Sequence, residues 1–394
     1  MYSPCMPRVR LLSRTNLDQN YQHSVVISLL RGLAALEVVA AHLRGQLYPS
    51  LRSLEDPTLW YQALAFFTGF AHLAVVVFFV LSGWLVGGSL LNKLDQPRVM
   101  LWYAVDRLTR MWIVLIPAFV LTLAIGTLTD GVDSSRISYS PDNEYSVAAF
   151  VGNLFGLQGI AVPRFGGNYS LWSLANEMWY YALFPLLVLP FVGKSRAARY
   201  ASAVAALVIA SQLPFQIVLY FLVWLLGAVC SRVQIDAGRT TRWLLVGVLL
   251  GMAVCFRLFG STDVLVPESF AQDLVFSVVL LLVLSSLQFP SQPRRRGTRV
   301  AAAVGACLSP FSFTLYVVHF PLLDLLRHLH AGAGGGALSP ADPASLLVFA
   351  AMLVVILALA WLFHLPFEAQ TYRLRRFIKE GVLRAEGRRA SLAA

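Results

Sequence analysis

Arg31 and His42 stand eleven residues apart in RGLAALEVVAAH, inside an apolar run that begins near Ser24. At about 100° per residue, eleven steps come to about 1100°, within about 20° of whole turns, so a helix puts both side chains on one face, about 16 Å apart along its axis. A guanidinium at one depth and a ring that titrates near neutrality at another can do two jobs: hold an anion and move a proton. Glu37 lies six residues from Arg31, on another face, which makes an intrahelical ion pair poor. A further carboxylate, Glu177, sits in NYSLWSLANEMWYYALFP (168–185) with Trp172, Ser173, Tyr180 and Tyr181 around it. FFVLSGWLVGG (78–88) offers the Ser82 hydroxyl and the small Gly83, and SFTLYVVHFPLL (312–323) carries Tyr316 and His319. Arg107 and Arg110 are three apart and point the same way from a helix end, which suits the oxygens of a phosphate. Taken singly, each has an ordinary use. Arg107 and Arg110 can anchor to lipid phosphate, His42 can meet a headgroup, and Tyr180, Tyr181 and Gly83 can pack helices.

The elements that must position these groups are membrane helices. The chain is 58% hydrophobic and only 13% charged, against about 25% charged in soluble domains. Its mean hydropathy is +0.67. Apolar segments recur along its length, and ten spans are expected: about 25–43, 70–91, 111–128, 170–192, 200–212, 215–231, 243–259, 272–289, 304–328 and 345–366. Pro214 makes 200–231 a tight helical hairpin or a broken helix. The short apolar segments 58–69 and 147–160 suit interfacial or re-entrant pieces. The expected fold is thus an all-α polytopic bundle: an N-terminal segment 1–24, a membrane domain 25–366 and a basic tail 367–394. No signal peptide is evident in the polar first 24 residues. The four cysteines form no CxxC pair, and no internal repeat is found.

Basic residues orient the spans. On strict alternation, 24 of the 31 lysines and arginines fall on one side, four on the other (Arg44, Arg52, Arg136 and Arg164), and three within spans. The positive-inside rule then makes both termini cytoplasmic. The net charge of +11 is dispersed among loops, which argues against nucleic-acid binding. The outward loops 126–145 and 331–343 are rich in turn residues, and the glycines of the second precede no P-loop Lys-Ser/Thr pair. On this topology Arg31 lies in the inner half of the first span and His42 near its outer end. Glu177 is expected in the outer half, at the depth of His42, with Ser82 and Gly83 deeper, toward Arg31. Arg107 and Arg110 flank a cytoplasmic mouth.

No HExxH, GxSxG or Walker A pattern occurs. His319 and Asp324 share an HxxxxD spacing, but inside a span with Pro321 between them, a coincidence of spacing. His328 and His330 have no carboxylate cluster nearby, so no metal is expected. The combination of motifs resembles the acyltransferase-3 family of bacterial membrane O-acyltransferases. The family's first-span Arg and His are matched by Arg31 and His42, and its FFxxSGF-like stretch by Phe78, Phe79, Ser82 and Gly83, with Trp84 replacing the last phenylalanine. Its RxxR is matched by Arg107 and Arg110, and its WSLxxExxYY by Trp172, Ser173, Leu174, Glu177, Tyr180 and Tyr181. Its late SxxLYxxHxP is matched by Ser312, Leu315, Tyr316, His319 and Pro321. The resemblance covers roughly 24–370. Glu37 departs from it, at a position usually apolar. Some members carry an added esterase-like domain, which is not expected in the short tail here.

The resemblance implies transfer of an acyl group, often acetyl, from a cytoplasmic coenzyme A thioester to a hydroxyl, usually on a sugar, with no permanently bound cofactor. Geometry is compatible. Arg107 and Arg110 would take the donor's phosphates, Arg31 the pantetheine or thioester region, Ser82 would also bind the donor, and the small Gly83 would let a narrow acyl channel pass. His42 suits a general base on the acceptor hydroxyl, or a nucleophile that takes the acyl group as an acyl-histidine, with Glu177 orienting or compensating it. Trp172, Ser173, Tyr181, Tyr316 and His319 are expected to support the site or the acceptor. The expected partners are the lipid bilayer of a bacterial inner membrane and a saccharide, glycolipid or secreted small molecule such as a macrolide. A transporter or flippase of lipid-linked glycan would also use intramembrane charges. The missing repeat and the clustered motifs count against it. A polyprenyl-phosphate transferase would need a cytoplasmic acidic metal pair, whereas the cytoplasmic loops are basic.

Overall fold

The computed structural model describes residues 8–129, 143–193, 195–260, 265–292 and 296–393. Most of the loop expected over 126–145 lies outside these residues, as do Lys194, Arg294 and Arg295 of the basic loops. A short strand β1 (Arg8–Leu11) leads into α1 (Gln22–Leu47), which holds the whole RGLAALEVVAAH stretch. It stops where Tyr48, ahead of Pro49, must take an extended backbone. The short α2 (Leu59–Phe67) precedes α3 (Ala71–Ser82), which runs through a π-helical turn at Gly83–Gly87 into α4 (Gly88–Leu91). Then follow α5 (Val99–Leu128), α6 (Val147–Leu154), α7 (Leu171–Val192), α8 (Arg196–Gln212) and α9 (Phe215–Cys230). Strand β2 (Val233–Asp236) leads to α10 (Arg239–Phe259), α11 (Pro267–Ser286), α12 (Arg296–Leu308), α13 (Ser312–Gly332), α14 (Ser345–His364) and α15 (Thr371–Ala393).

Seven helical stretches among the described residues are long and apolar enough to cross a membrane, and α9 is apolar but shorter. The chain is therefore a polytopic helix bundle, the architecture in which backbone polar groups are satisfied within each spanning segment. Two details depart from the expected all-α arrangement of spans. Strands β1 and β2 pair antiparallel, with Arg8 opposite Asp236 and Leu11 opposite Val233. That small sheet ties the N-terminal segment to the α9–α10 junction, reinforced by Arg10 Nε 2.9 Å from Asp236. The expected span 304–328 is two helices, because Pro310 sits in a 3-10 turn (Ser309–Phe311) between α12 and α13. Pro214 likewise separates α8 from α9.

Helix α1 is central and packs against α3, α12 and α13. Its approach to α12 uses small residues. A Cβ on Gly305 would stand 3.0 Å from the backbone nitrogen of Leu29. Glu37, the residue out of place in the family pattern, accepts a hydrogen bond from the Phe70 backbone N–H (2.7 Å) and so satisfies a free donor at the start of α3.

Candidate functional site

A cavity of about 360 Å³ lies between α1, α3, α5, α7, α13 and α15. Eight of the twelve expected site residues line it: Arg31, Ser82, Arg107, Arg110, Ser173, Glu177, Tyr181 and Tyr316. Arg375 of α15 lines it too, as does Leu17 of the N-terminal segment, and neither was expected. Four guanidinium groups thus face a cavity whose lining has one carboxylate, Glu177.

The arginines are under-compensated. Arg31 donates to the Ser312 hydroxyl at 3.3 Å and, among the described residues, has no carboxylate partner. The Arg107 guanidinium lies 5.8 Å from the Tyr103 ring centre and 5.7 Å from that of Tyr181. Its buried Nε has no hydrogen-bond partner among the described residues. Arg110 reaches Glu368 only at 4.0 Å and lies over Phe313. Buried donors are normally paired, so these groups fit an anionic ligand.

Glu177 is held by hydroxyls. Its Oε1 accepts from Ser82 Oγ at 2.6 Å and from the Tyr181 hydroxyl, four residues on along α7. Trp224, fully buried on α9, donates to Ser82 at 3.1 Å and fixes that hydroxyl. The expected pairing of Glu177 with His42 is not formed, and the depth assigned to Glu177 needs correcting. Pro321 has no backbone N–H, so the carbonyl of Val317, one turn earlier in α13, lacks its helical donor. Asn168 supplies one, its Nδ2 donating to Val317 O at 2.9 Å. Gly166 and Gly167, both with positive φ, turn the chain so that Asn168 can reach in. The start of α7 is thereby drawn to the middle of the bundle, and Glu177, further along, sits at the level of Ser82 and Arg31.

His42 has a different partner. Its Nδ1 is 2.9 Å from Nε2 of His319, with the two rings parallel to within 1°. His319 is fully buried, and its Nδ1 lies 2.8 Å from the Tyr316 carbonyl. A carbonyl can only accept, so His319 carries its proton on Nδ1 and accepts at Nε2. His42 then donates from Nδ1, which leaves the lone pair of His42 Nε2 free. The ring of His42 is flanked by Phe320 and Tyr169, and Tyr169 is covered by Arg164. This pair is separated from the cavity by Tyr316, whose ring centre is 6.0 Å from that of His319 and whose hydroxyl meets Ser173 Oγ at 2.5 Å.

Two expected site residues stand elsewhere. Gly83 is absent from the lining of this cavity, and a Cβ there would collide with the Trp224 carbonyl oxygen. Its smallness lets α9 approach, and it does not shape an acyl channel. Trp172 is half-buried at the edge of the core, away from the cavity lining. Sequence reasoning missed Asp106, Glu368, Arg375 and Lys379. The signals were a lone acid before RLTR and a lone acid just after the last span.

The sequence pattern described as an acyltransferase domain, that of the acyltransferase-3 family, matches residues 25–365. The acyltransferase MdmB of Streptomyces mycarofaciens is 28% identical over 378 residues, which cover 88% of this chain and 90% of that protein. No solved structure is significantly similar to the chain.

Proposed function

The chain belongs to the acyltransferase-3 family, and from that premise we propose that it is a membrane O-acyltransferase that moves an acyl group, acetyl in the simplest case, from cytoplasmic acyl-coenzyme A to a hydroxyl of a saccharide or another envelope or secreted acceptor. The observation that carries this reading is the arginine-lined cavity ending at Tyr316 and Ser173, with the His42–His319 pair on the far side of Tyr316. The donor's phosphates meet Arg107 and Arg110, and Arg31 holds the donor nearer the thioester. His42 Nε2 removes the proton from the acceptor hydroxyl as that oxygen attacks the thioester carbonyl carbon. The carbon–sulfur bond then breaks, and the leaving thiolate takes the proton from His42. His319 keeps His42 in the productive tautomer and accepts its Nδ1–H throughout, which favours the transient imidazolium. Glu177 acts at a distance from this pair. It fixes Ser82 and Tyr181 and offsets part of the arginine charge. The basic face, with both termini, is cytoplasmic in a bacterial inner membrane.

The deciding experiment joins two measurements. Mass spectrometry of envelope glycans, glycolipids and secreted products, with and without the gene, should reveal a lost acyl increment. Purified protein should then release free coenzyme A from acetyl-coenzyme A when supplied with the deacylated product. An unchanged product profile together with no thioester turnover would overturn the proposal.

A further inference from the structure

The helix after the last span was expected to be a basic tail, yet it forms a wall of the site. Arg375 lines the main cavity. Lys379, one turn later and on the same face of α15, lines an adjoining chamber of about 260 Å³ together with Lys93, Trp102, Tyr103, Asp106 and Arg107. The two chambers share Val86, Ser89 and Arg107. Both α15 cations rest on one oxygen. Asp106 Oδ1 is 3.1 Å from Arg375 Nε and 3.1 Å from Lys379 Nζ. Three cations, Lys93, Arg107 and Lys379, thus face the second chamber against the single carboxylate of Asp106. Two buried polar atoms there, the Tyr103 hydroxyl and Arg107 Nε, have no hydrogen-bond partner among the described residues. The opposite face of α15 differs. Arg376 and Arg384 pair with Glu380 and are mostly exposed. The family match ends at residue 365, so none of these α15 groups belongs to the matched region.

We propose that α15 and the α4–α5 junction form a second anion site, which takes the 3′-phosphate of the donor nucleotide and so selects coenzyme A thioesters over thioesters lacking that group. This rests on the donor reading above. Coenzyme A carries two separated anionic groups, a pyrophosphate and a phosphomonoester. The protein carries two connected chambers, each with surplus cations and with Arg107 at their junction. Arg107 holds the pyrophosphate between the chambers, and Lys93 and Lys379 take the terminal phosphate. Asp106 is the resident counter-ion. It keeps α15 docked before the donor arrives and gives up part of its hold on Lys379 when a dianion enters. Trp102, over which Lys379 Nζ lies at 5.5 Å, offers the adenine a stacking face.

The test compares coenzyme A with 3′-dephospho-coenzyme A. Binding is measured by calorimetry on the full chain in nanodiscs of zwitterionic lipid, so that no lipid phosphomonoester competes. Wild-type protein should prefer coenzyme A by roughly tenfold or more, the usual scale for one charge-assisted contact. Lys379→Ala and Lys93→Ala should bring the ratio of the two affinities toward one, by weakening coenzyme A alone. Lys379→Arg should keep the preference, and so should Arg376→Ala on the outer face. If Lys379 serves only to dock α15, its removal weakens both ligands equally and the ratio stands, which overturns the proposal. Equal wild-type affinity for the two ligands also overturns it, while leaving the donor reading intact. Failure of wild type to bind either ligand overturns the donor reading itself, and this inference with it.

Discussion

Replacing His319 by phenylalanine tests the tautomer argument most directly. His319 Nε2 is the acceptor for His42 Nδ1–H at 2.9 Å, in a fully buried setting. Phenylalanine removes that acceptor and keeps an aromatic ring in the space. His42 is then left with an unsatisfied donor, or with its proton moved to Nε2, where the base is needed. A buried donor without a partner costs about 1–3 kcal/mol. Each 1.36 kcal/mol is tenfold in rate, so kcat should fall roughly 5- to 150-fold. His42→Ala should fall further, by about 10²–10⁴-fold, because a positioned base is lost outright. His319→Gln should recover most of the loss, since its side-chain oxygen can accept the same proton. Adding His319→Phe to His42→Ala should cost little more, because groups that act as a unit are not additive. The assay is thiol release from acetyl-coenzyme A by purified protein at saturating donor, with donor affinity measured in parallel. Wild-type kcat in His319→Phe would refute the reasoning. Equal rates for the glutamine and phenylalanine variants would reduce His319 to a packing residue.

Other perturbations separate the remaining roles. Arg107→Ala should weaken donor binding by about 1.5–3 kcal/mol, and Arg110→Ala by no more than that, because Arg110 is partly engaged with Glu368. Unchanged affinity in both variants, read by calorimetry, would make them lipid anchors. Gly83→Ala should lower thermal stability by about 1–3 kcal/mol through its clash with a backbone carbonyl that no side-chain rotation relieves, while activity per folded molecule persists. An unshifted melting curve would show that α9 does not pack there. Reporter fusions at Gly335 should read external, and fusions at Arg196 and the C-terminus internal. One reversed reporter would break the proposed topology.

Much of the cavity was legible because its residues share a chemical oddity, charge or hydroxyl inside an apolar run. Arg31, Arg107, Arg110, Ser82 and Tyr316 announced themselves that way. The partner of each group was harder to read. Glu177 was assigned a depth by counting along α7 from a presumed outer surface, but that helix starts inside the bundle, where Asn168 meets the carbonyl that Pro321 leaves free. The pattern contains both residues, and nothing in their spacing says that they meet. His42 was matched to a carboxylate by analogy with triads, when a neutral ring with a backbone-fixed proton can give the same orientation. Gly83 shows the converse limit, since a small residue beside a functional one is silent on whether a ligand or a helix comes close. The acids Asp106 and Glu368 drew no expectation, because the docking of α15 onto α5 is a long-range contact with no local signature.

The walls of the cavity come from residues far apart in the sequence, Leu17 ahead of α1 and Arg375 beyond α14. Leu17 leaves the ribosome 358 residues before Arg375. While the chain is being made, α1 already carries Arg31 and His42, but the cavity still lacks its α15 wall. A chain without α15 lacks Arg375 at the cavity and the ion pair that Asp106 makes with it. Closure of the cavity therefore waits for α15 to dock on α5.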